Sequence, residues 1–510
     1  MGLLILLIFA VAFVAFAGSG AKARAERRKH AFDFEPEILL GDAGFATDKE
    51  CKAAGLLNGR GIPCGHSPEK GEPLRFDGDS MAITVAPVGS GKTTVQTIPA
   101  CLSMDDRSII SFCTKGETPA VTAKHRAGCG PCYIVAPYGG VVSGSGGVRQ
   151  AHLNPMDILW DPKEPAADFY ANSRSIAQGC IFLETQNAEG EFFSAASLNL
   201  THFVIMGVAR HEPKEKRTLQ RVAQIIATDE IYEWSQWIVS VTKDPLLKQK
   251  GAMWATARRD DRTLEGILQT ARTNLEFLND PPIAEWMSKS DFKIQSLRER
   301  VSTVYFTVPP GKSAASSRAI SLFINVTMNR LLAPGRGKKR VVVMLDDFTT
   351  YGALPCIESA IAISRGFGVQ IWPLIQDLSQ LESRYPKVWQ SFLSNAGLRV
   401  FMTPQDEKTA RYVSDQLGVT QVSGWQKSVN FDRGGNLGEG WSRPPSSRPL
   451  QHPHEVRALP ETHMYVFVRG MVNAIRAQRI PYYRLGQYRR RAEPNPYYQS
   501  ESFFRKIFGR

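Results

Sequence analysis

One run near residue 90 limits what this chain can fold into more than any other. Met81 to Ala86 (MAITVA) is a short, apolar, β-branched strand, and Lys92 to Leu102 reads as a helix. Between them lies the glycine turn Pro87-Val88-Gly89-Ser90-Gly91. Strand, turn and helix in that order bring successive backbone N–H groups and a helix N-terminus to one point, which makes a cradle for phosphate. The segment Ala86-Pro87-Val88-Gly89-Ser90-Gly91-Lys92-Thr93 is a Walker A loop in which Ala86 stands at the first glycine. Lys92 is expected to reach the β- and γ-phosphates. Thr93, followed by Thr94, is expected to ligate Mg²⁺. The ligand read from these residues is a nucleotide with Mg²⁺; no base-reading pattern is evident.

Such a loop needs an acid at the carboxyl end of another buried strand. Val341-Val342-Val343-Met344-Leu345 is that strand, and it ends in Asp346-Asp347. It is expected directly beside the loop's own strand. Asp346 would hold Mg²⁺ through its water shell, and Asp347 would polarise the attacking water. Asp347 stands where glutamate is commoner and is one methylene shorter. Val369 to Ile375 is a further buried strand with Gln376 at its end, where a glutamine can sense the γ-phosphate and orient water. Arg365, on a glycine turn before that strand, is a candidate arginine finger acting in trans; the plain alternative is a surface partner of the helix dipole.

Strands at Ser108 to Cys113, Thr303 to Val308 and Leu398 to Met402 alternate with helical segments. The fold class is therefore α/β, a P-loop NTPase domain with a parallel sheet and helices on both faces. From about Asp168 to Asp280 the apolar spacing is helical throughout, which predicts an inserted all-α domain. The expected divisions are 1–21, a transmembrane anchor; 22–74, a juxtamembrane segment; 75–164 and 291–485, the two parts of the nucleotide-binding domain; 165–290, the insert; and 486–510, a tail. Ser423 to Pro453, rich in Gly, Ser and Pro, reads as a long loop before a final strand pair at Met464 to Val468 and Val472 to Arg479.

Met1 to Ala21 carries no charge and as a helix would span about 31 Å, near a bilayer's hydrocarbon thickness. Lys22, Arg24, Arg27, Arg28 and Lys29 follow it, which places the N-terminus outside and the bulk of the chain in the cytoplasm, single-pass. With 62 Lys+Arg against 49 Asp+Glu, the net charge of +13 favours a polyanionic partner or an anionic membrane surface. A hydrophobic content of 43% excludes a globally disordered chain. Cys129-Gly130-Pro131-Cys132 has thioredoxin-type spacing but runs into the strand-like Tyr133-Ile134-Val135, so it reads as a turn. A zinc site drawn from Cys51, Cys64, Cys129 and Cys132 would have only one CxxC half. The tail sets Tyr497, Tyr498, Phe503, Phe504 and Phe508 near Arg505, Lys506 and Arg510. It suits either stacking on nucleic acid or a disordered, partner-binding end.

The order of motifs resembles that of the type IV secretion coupling proteins, membrane-anchored RecA-like ATPases of conjugative DNA transfer. The matching elements are APVGSGKT at 86–93, Lys115-Gly116-Glu117, LNPMD at 153–157, EFFSAASLNL at 191–200 and TVYFTVPP at 303–310. The block 341–418 is the most specific, and VRALPETHMYVFVRG with AIRAQRIPYYR closes the resemblance, which covers roughly residues 75–485. It implies a homohexameric ring in the bacterial inner membrane that hydrolyses ATP to pass DNA–relaxase complexes or effector proteins to the secretion channel. An ATP-binding recruiting hub of the same machine, or another hexameric DNA-pumping ATPase, stay open as alternatives. Three features depart from the family pattern: one span in place of two, Asp347 in place of glutamate, and Cys113-Thr114 where an aspartate commonly precedes the KGE motif.

Overall fold

The computed structural model describes residues 41–496 apart from 140–147, 149, 161–167, 183–186, 258–260, 334–336, 424–425, 432–436 and 443–444. The expected anchor at 1–21 and the aromatic residues from Tyr497 onward lie outside the described residues. The chain divides into two compact units, one of Ala46–Thr409 with Leu459–Arg510 and the other of Met1–Phe45 with Ala410–Ala458.

The strands are β1 (Ile62–His66), β2 (Pro73–Phe76), β3 (Met81–Val85), β4 (Ser108–Cys113), β5 (Cys132–Val135), β6 (Thr303–Thr307), β7 (Val341–Leu345), β8 (Val369–Ile375) and β9 (Ala396–Phe401). There follow β10 (Val419–Ser423), β11 (Gln426–Phe431), β12 (Leu437–Ser442), β13 (Pro445–Pro449), β14 (His463–Val468) and β15 (Ile475–Gln478). Eleven of them form one sheet in the larger unit, in the order β2-β1-β15-β14-β9-β3-β8-β7-β4-β6-β5. The seven from β9 to β5 are parallel. β3, β4, β6, β7 and β8 are buried along their whole length, as expected of apolar runs without alternation that are covered on both faces.

The sheet departs from the sequence expectation in two places. β1 and β2 come from the segment expected to be juxtamembrane, yet they extend the sheet antiparallel through β15 and β14. Pro63 and Gly65 make β1 read as turn sequence, and a strand near a sheet edge tolerates both. The strand that carries Asp346-Asp347, β7, is not beside β3: β8 lies between them. Strand content does not fix strand order, so the sequence could not reveal this.

Between β5 and β6 the chain is helical, with Asp168–Cys180, Ala188–His211, Leu219–Ala227, Glu230–Val241, Pro245–Ala255 and Arg262–Leu275 as its main helices. Among the described residues Ala188–His211 is the one helix long and apolar enough to cross a membrane, but most of it is buried as the core helix of this bundle. The bundle is anchored where Gly179 meets the helix Ser313–Leu331. A Cβ there would lie 2.7 Å from Leu322 Cδ1, and Ser175 Oγ donates to Asn325 Oδ1 at 3.2 Å nearby.

In the smaller unit the expected loop at 423–453 contains paired strands: β10 with β13 and β11 with β12, both antiparallel. Gly/Ser/Pro composition signals turns, and a polar two-stranded ribbon carries no apolar pattern to contradict that signal.

Arg126, on the helix Glu117–Cys129, ties that helix to the sheet. Its buried guanidinium donates to Thr303 Oγ1 at 2.8 Å, Met104 O at 2.7 Å and Arg107 O at 2.9 Å. Arg126→Met leaves these acceptors buried and unpaired. It should lower unfolding free energy by about 3 kcal/mol, read from urea denaturation midpoints.

Candidate functional site

The phosphate-binding loop leaves the sheet where Ala86 N–H donates to Ile375 O at 2.9 Å, beside the last residue of β8. Gly89 and Gly91 hold φ of +80° and +77°, conformations strained for any residue with a Cβ. Ser90 N–H closes the turn on Pro87 O at 3.2 Å, and Thr94 Oγ1 donates to Gly91 O at 3.1 Å. Val88 stands exposed on the loop. The helix that follows opens with a π turn over Thr93–Thr97 and continues as α over Ile98–Cys101. Pro99 has no N–H for the carbonyl four residues back, and the widened turn accommodates its ring. A chain of buried hydrogen bonds fixes this helix: Trp372 Nε1 donates to Thr84 Oγ1 (3.0 Å), Thr84 Oγ1 to Gln96 Oε1 (2.8 Å), and Gln96 Nε2 to Pro63 O (3.4 Å).

Lys92 Nζ lies 2.5 Å from Asp347 Oδ1 and 3.3 Å from Asp346 Oδ1. β3 and β7 are two strand spacings apart, about 9.5 Å, so the lysine side chain crosses the carboxyl end of β8 to reach the acids. Asp346 is aligned by its N–H on Phe112 O (3.1 Å) and by Tyr351 OH on its own carbonyl (2.5 Å). Asp347 adopts φ +49°, which aspartate tolerates better than most residues, and begins the short helix Phe348–Tyr351. Burial pushes the Asp346 carboxyl above its ordinary range although Lys92 pulls it down, and the Asp347 charge adds to the rise. Burial also works against the Lys92 charge, but the two aspartates outweigh it and hold the ammonium above its ordinary value.

Gln376, half-buried at the end of β8, accepts a hydrogen bond from Gln380 Nε2 at 3.3 Å. Gln380 in turn accepts from Thr349 Oγ1 at 3.0 Å, which links the β8 end to the turn after Asp347. Arg365 is exposed on the turn Ser364–Phe367, at the amino end of β8 and so at the opposite end of the sheet from Lys92. The structure therefore gathers Lys92, Asp346, Asp347 and Gln376 at one sheet end with Thr93 and Thr94 on the adjoining helix turn. Arg365 does not join them.

Two further groups at the site escaped sequence reading. Arg479, just after β15, donates through Nη2 to Ser90 O on the loop, while its Nε and Nη1 are buried with no hydrogen-bond partner among the described residues. Burial lowers its pKa. It is 389 positions from Ser90, and only the closing block of the family resemblance gave a signal for it. Glu117, from the KGE motif, is buried at the start of its helix, where burial pushes its carboxyl up and Asn495 Nδ2 donates to it at 2.7 Å. Asn495 belongs to a strap that packs Tyr482 and Tyr488 against Ile98, Leu102 and Val121. Residues 486–496, the first part of the expected tail, thus pack on the helix after the phosphate loop. A separate cavity of about 680 Å³ is lined by Asn154, Asp157 and Trp160 of the LNPMD region with Lys214, Arg217 and Lys289; no phosphate-loop residue borders it.

The open glycine turn, the partly buried acids and a lysine already held by carboxylate oxygens suit the polyphosphate of a nucleotide with a divalent cation. A phosphate loop facing a two-acid strand end across an intervening strand defines a P-loop NTPase domain. The chain belongs to the type IV secretory system conjugative DNA transfer family, whose model matches residues 44–504. It is 25% identical to the protein VirD4 of Rhizobium rhizogenes over 79% of this chain and 58% of that protein. It is 26% identical to the conjugal transfer protein TraG of Escherichia coli over 83% of this chain and 72% of that protein. The chain therefore spans less than two thirds of the length of the VirD4 relative. Among solved structures, the plasmid coupling protein TrwB in complex with an ATP analogue shares the fold, with a TM-score of 0.58 and 16% identity over 87% of this chain and 96% of that one. TrwB in complex with ADP and Mg²⁺ gives a TM-score of 0.56 over the same share of both chains.

The raised pKa of Glu117 makes a pH prediction. Below the ordinary glutamate range both folded and unfolded carboxyls are protonated and burial exacts no charge penalty. As pH rises through the raised folded pKa, the buried charge destabilises the fold in full. Glu117→Gln should unfold at the same denaturant concentration as the parent in acid and at a higher one above neutrality. A gap that stays constant with pH would refute this account.

Proposed function

We propose that this chain is an ATPase of the coupling type, a homohexamer at the bacterial inner membrane that recruits and moves DNA–relaxase complexes or effector proteins to a type IV secretion channel. The observation that carries the ATPase reading is the convergence of Lys92 with Asp346 and Asp347 at the sheet end where the phosphate loop opens. Family membership and the names of VirD4 and TraG support the transfer role. The uncharged stretch at 1–21 with its basic flank supports the membrane anchor.

In this reading Pro87 to Gly91 wrap the phosphates with backbone N–H groups, and Lys92 exchanges its carboxylate partners for the β- and γ-oxygens. Thr93 and Asp346 are the residues to hold Mg²⁺, which neutralises charge between those oxygens when bound. Asp347, freed from Lys92, orients the lytic water and accepts its proton. Gln376 orients the same water from the β8 end, and Arg479 turns its unpartnered donors to the nucleotide beside Ser90. Arg365, remote from its own site, serves the neighbouring subunit's γ-phosphate. The helical insert at 165–290 is the cargo-facing domain in this proposal, while β1, β2 and residues 486–496 belong with the nucleotide-binding domain.

The test is Mg²⁺-dependent ATP hydrolysis by the full chain in detergent, with and without single- and double-stranded DNA. DNA-stimulated turnover that disappears in Lys92→Ala is the expected result. Nucleotide binding without turnover would favour the recruiting hub. Asp347→Asn should keep nucleotide affinity while turnover falls about 100-fold or more. Arg479→Ala should weaken nucleotide binding about 10-fold, as loss of a charge-assisted hydrogen bond does.

A further inference from the structure

Three side chains of different chemistry meet at the far end of the helix Glu117–Cys129. His125 and Cys129 stand one turn apart on that helix, and Asp105 reaches them from the turn after Ile98–Cys101. His125 Nε2 is 2.9 Å from Asp105 Oδ1, Cys129 Sγ is 3.6 Å from the same oxygen, and the sulfur is 3.8 Å from His125 Nε2. For tetrahedral zinc, with bonds of about 2.3 Å to sulfur and about 2.0 Å to nitrogen and oxygen, the ligand separations are about 3.5 Å for S···N and S···O and about 3.3 Å for N···O. Each observed separation lies within about 0.4 Å of that set.

The surroundings fit the same reading. Arg491 Nη1 lies 3.3 Å from Asp105 Oδ2 and donates to Leu102 O at 2.7 Å, so it holds the outer oxygen and leaves Oδ1 facing the imidazole and the thiol. A ligating carboxylate is ordinarily supported in this way. The neighbouring cation, Arg126, is turned inward and committed to its three buried acceptors. A plain His–Asp ion pair accounts for two of the three groups and leaves the position of the sulfur as chance. The thiol also donates to His125 O, 3.5 Å away, which holds the sulfur on the side of the helix that faces the imidazole. Cys132, the other half of the CxxC pair, begins β5 and lies outside the three-ligand group. Cys51 and Cys64 are buried in the core cluster.

We propose that Asp105, His125 and Cys129 bind a zinc ion, with solvent at the fourth position beside the half-exposed Asp105. Thiolate, imidazole and carboxylate together suit this borderline-soft cation better than Mg²⁺ or Ca²⁺. The ion would tie the turn after the phosphate-loop helix to the far end of the helix that begins at Glu117, the ends of both elements that point away from the phosphate loop.

The test uses the full chain in detergent, stripped of metal by chelation and titrated without nucleotide with Co²⁺, then with Zn²⁺ in competition. The expected result is one Co²⁺ per chain with a thiolate-to-metal charge-transfer band that Zn²⁺ abolishes. Cys129→Ser should lose the band, His125→Ala and Asp105→Asn should weaken binding at least about 10-fold, and Cys132→Ser should leave it intact. Unchanged ADP binding by each variant verifies that it is folded. The proposal is overturned by a parent chain without the band, by a band that survives in Cys129→Ser, or by one lost in Cys132→Ser. Because no nucleotide is present, a Lys92→Ala chain should bind Co²⁺ like the parent, so failure here is separable from failure of the ATPase reading.

Discussion

A buried ammonium is costly unless opposite charge meets it, and buried carboxylates protonate unless a cation stands close. Lys92, Asp346 and Asp347 answer each other's demand, with the lysine held charged and the acids held beside it. Breaking that triad without a replacement would strand charge in the interior. A ligand that offers the lysine phosphate oxygens and the aspartates a cation replaces both partners at once. Partial burial of all three groups is what makes such a paired replacement less costly than the loss of either partner alone.

The sheet is what makes this exchange local. Because β8 lies between β3 and β7, the lysine must cross the β8 end to find its acids, and Gln376 sits at that crossing. Thr349 and Gln380 join the acid turn to the same point, so a movement of Asp347 has a polar route to β8. Arg479 brings the antiparallel part of the sheet to the loop from the other side. The strands expected to lie outside the domain, β1 and β2, extend that flank, and Pro63 of β1 accepts the last bond of the chain that fixes the loop helix.

What the sequence disclosed and what it withheld divide along one physical line. The phosphate loop, the Asp346-Asp347 strand end and Gln376 were legible because each depends on local order: strand, then turn or acid, then helix. The helical insert was legible from its periodicity. Strand order, the Arg479 contact and the Asn495–Glu117 bond were not, since they rest on pairings hundreds of residues apart that composition does not encode. β1 and the ribbons β10 to β13 were hidden for another reason. Their Gly, Pro and Ser content signals turns, and edge or polar strands tolerate those residues.

The strap at 482–496 gives the chain's last part a mechanical meaning. Tyr488 OH accepts from Arg75 Nη2, Arg491 donates to Leu102 O, and Asn495 donates to Glu117, so this short stretch is fastened to the end of the helix that follows the phosphate loop and to the start of the helix that follows β4. A displacement of Arg491 or Asn495 would therefore reach the end of the helix that carries Thr93 and the start of the one at Glu117 through single hydrogen bonds.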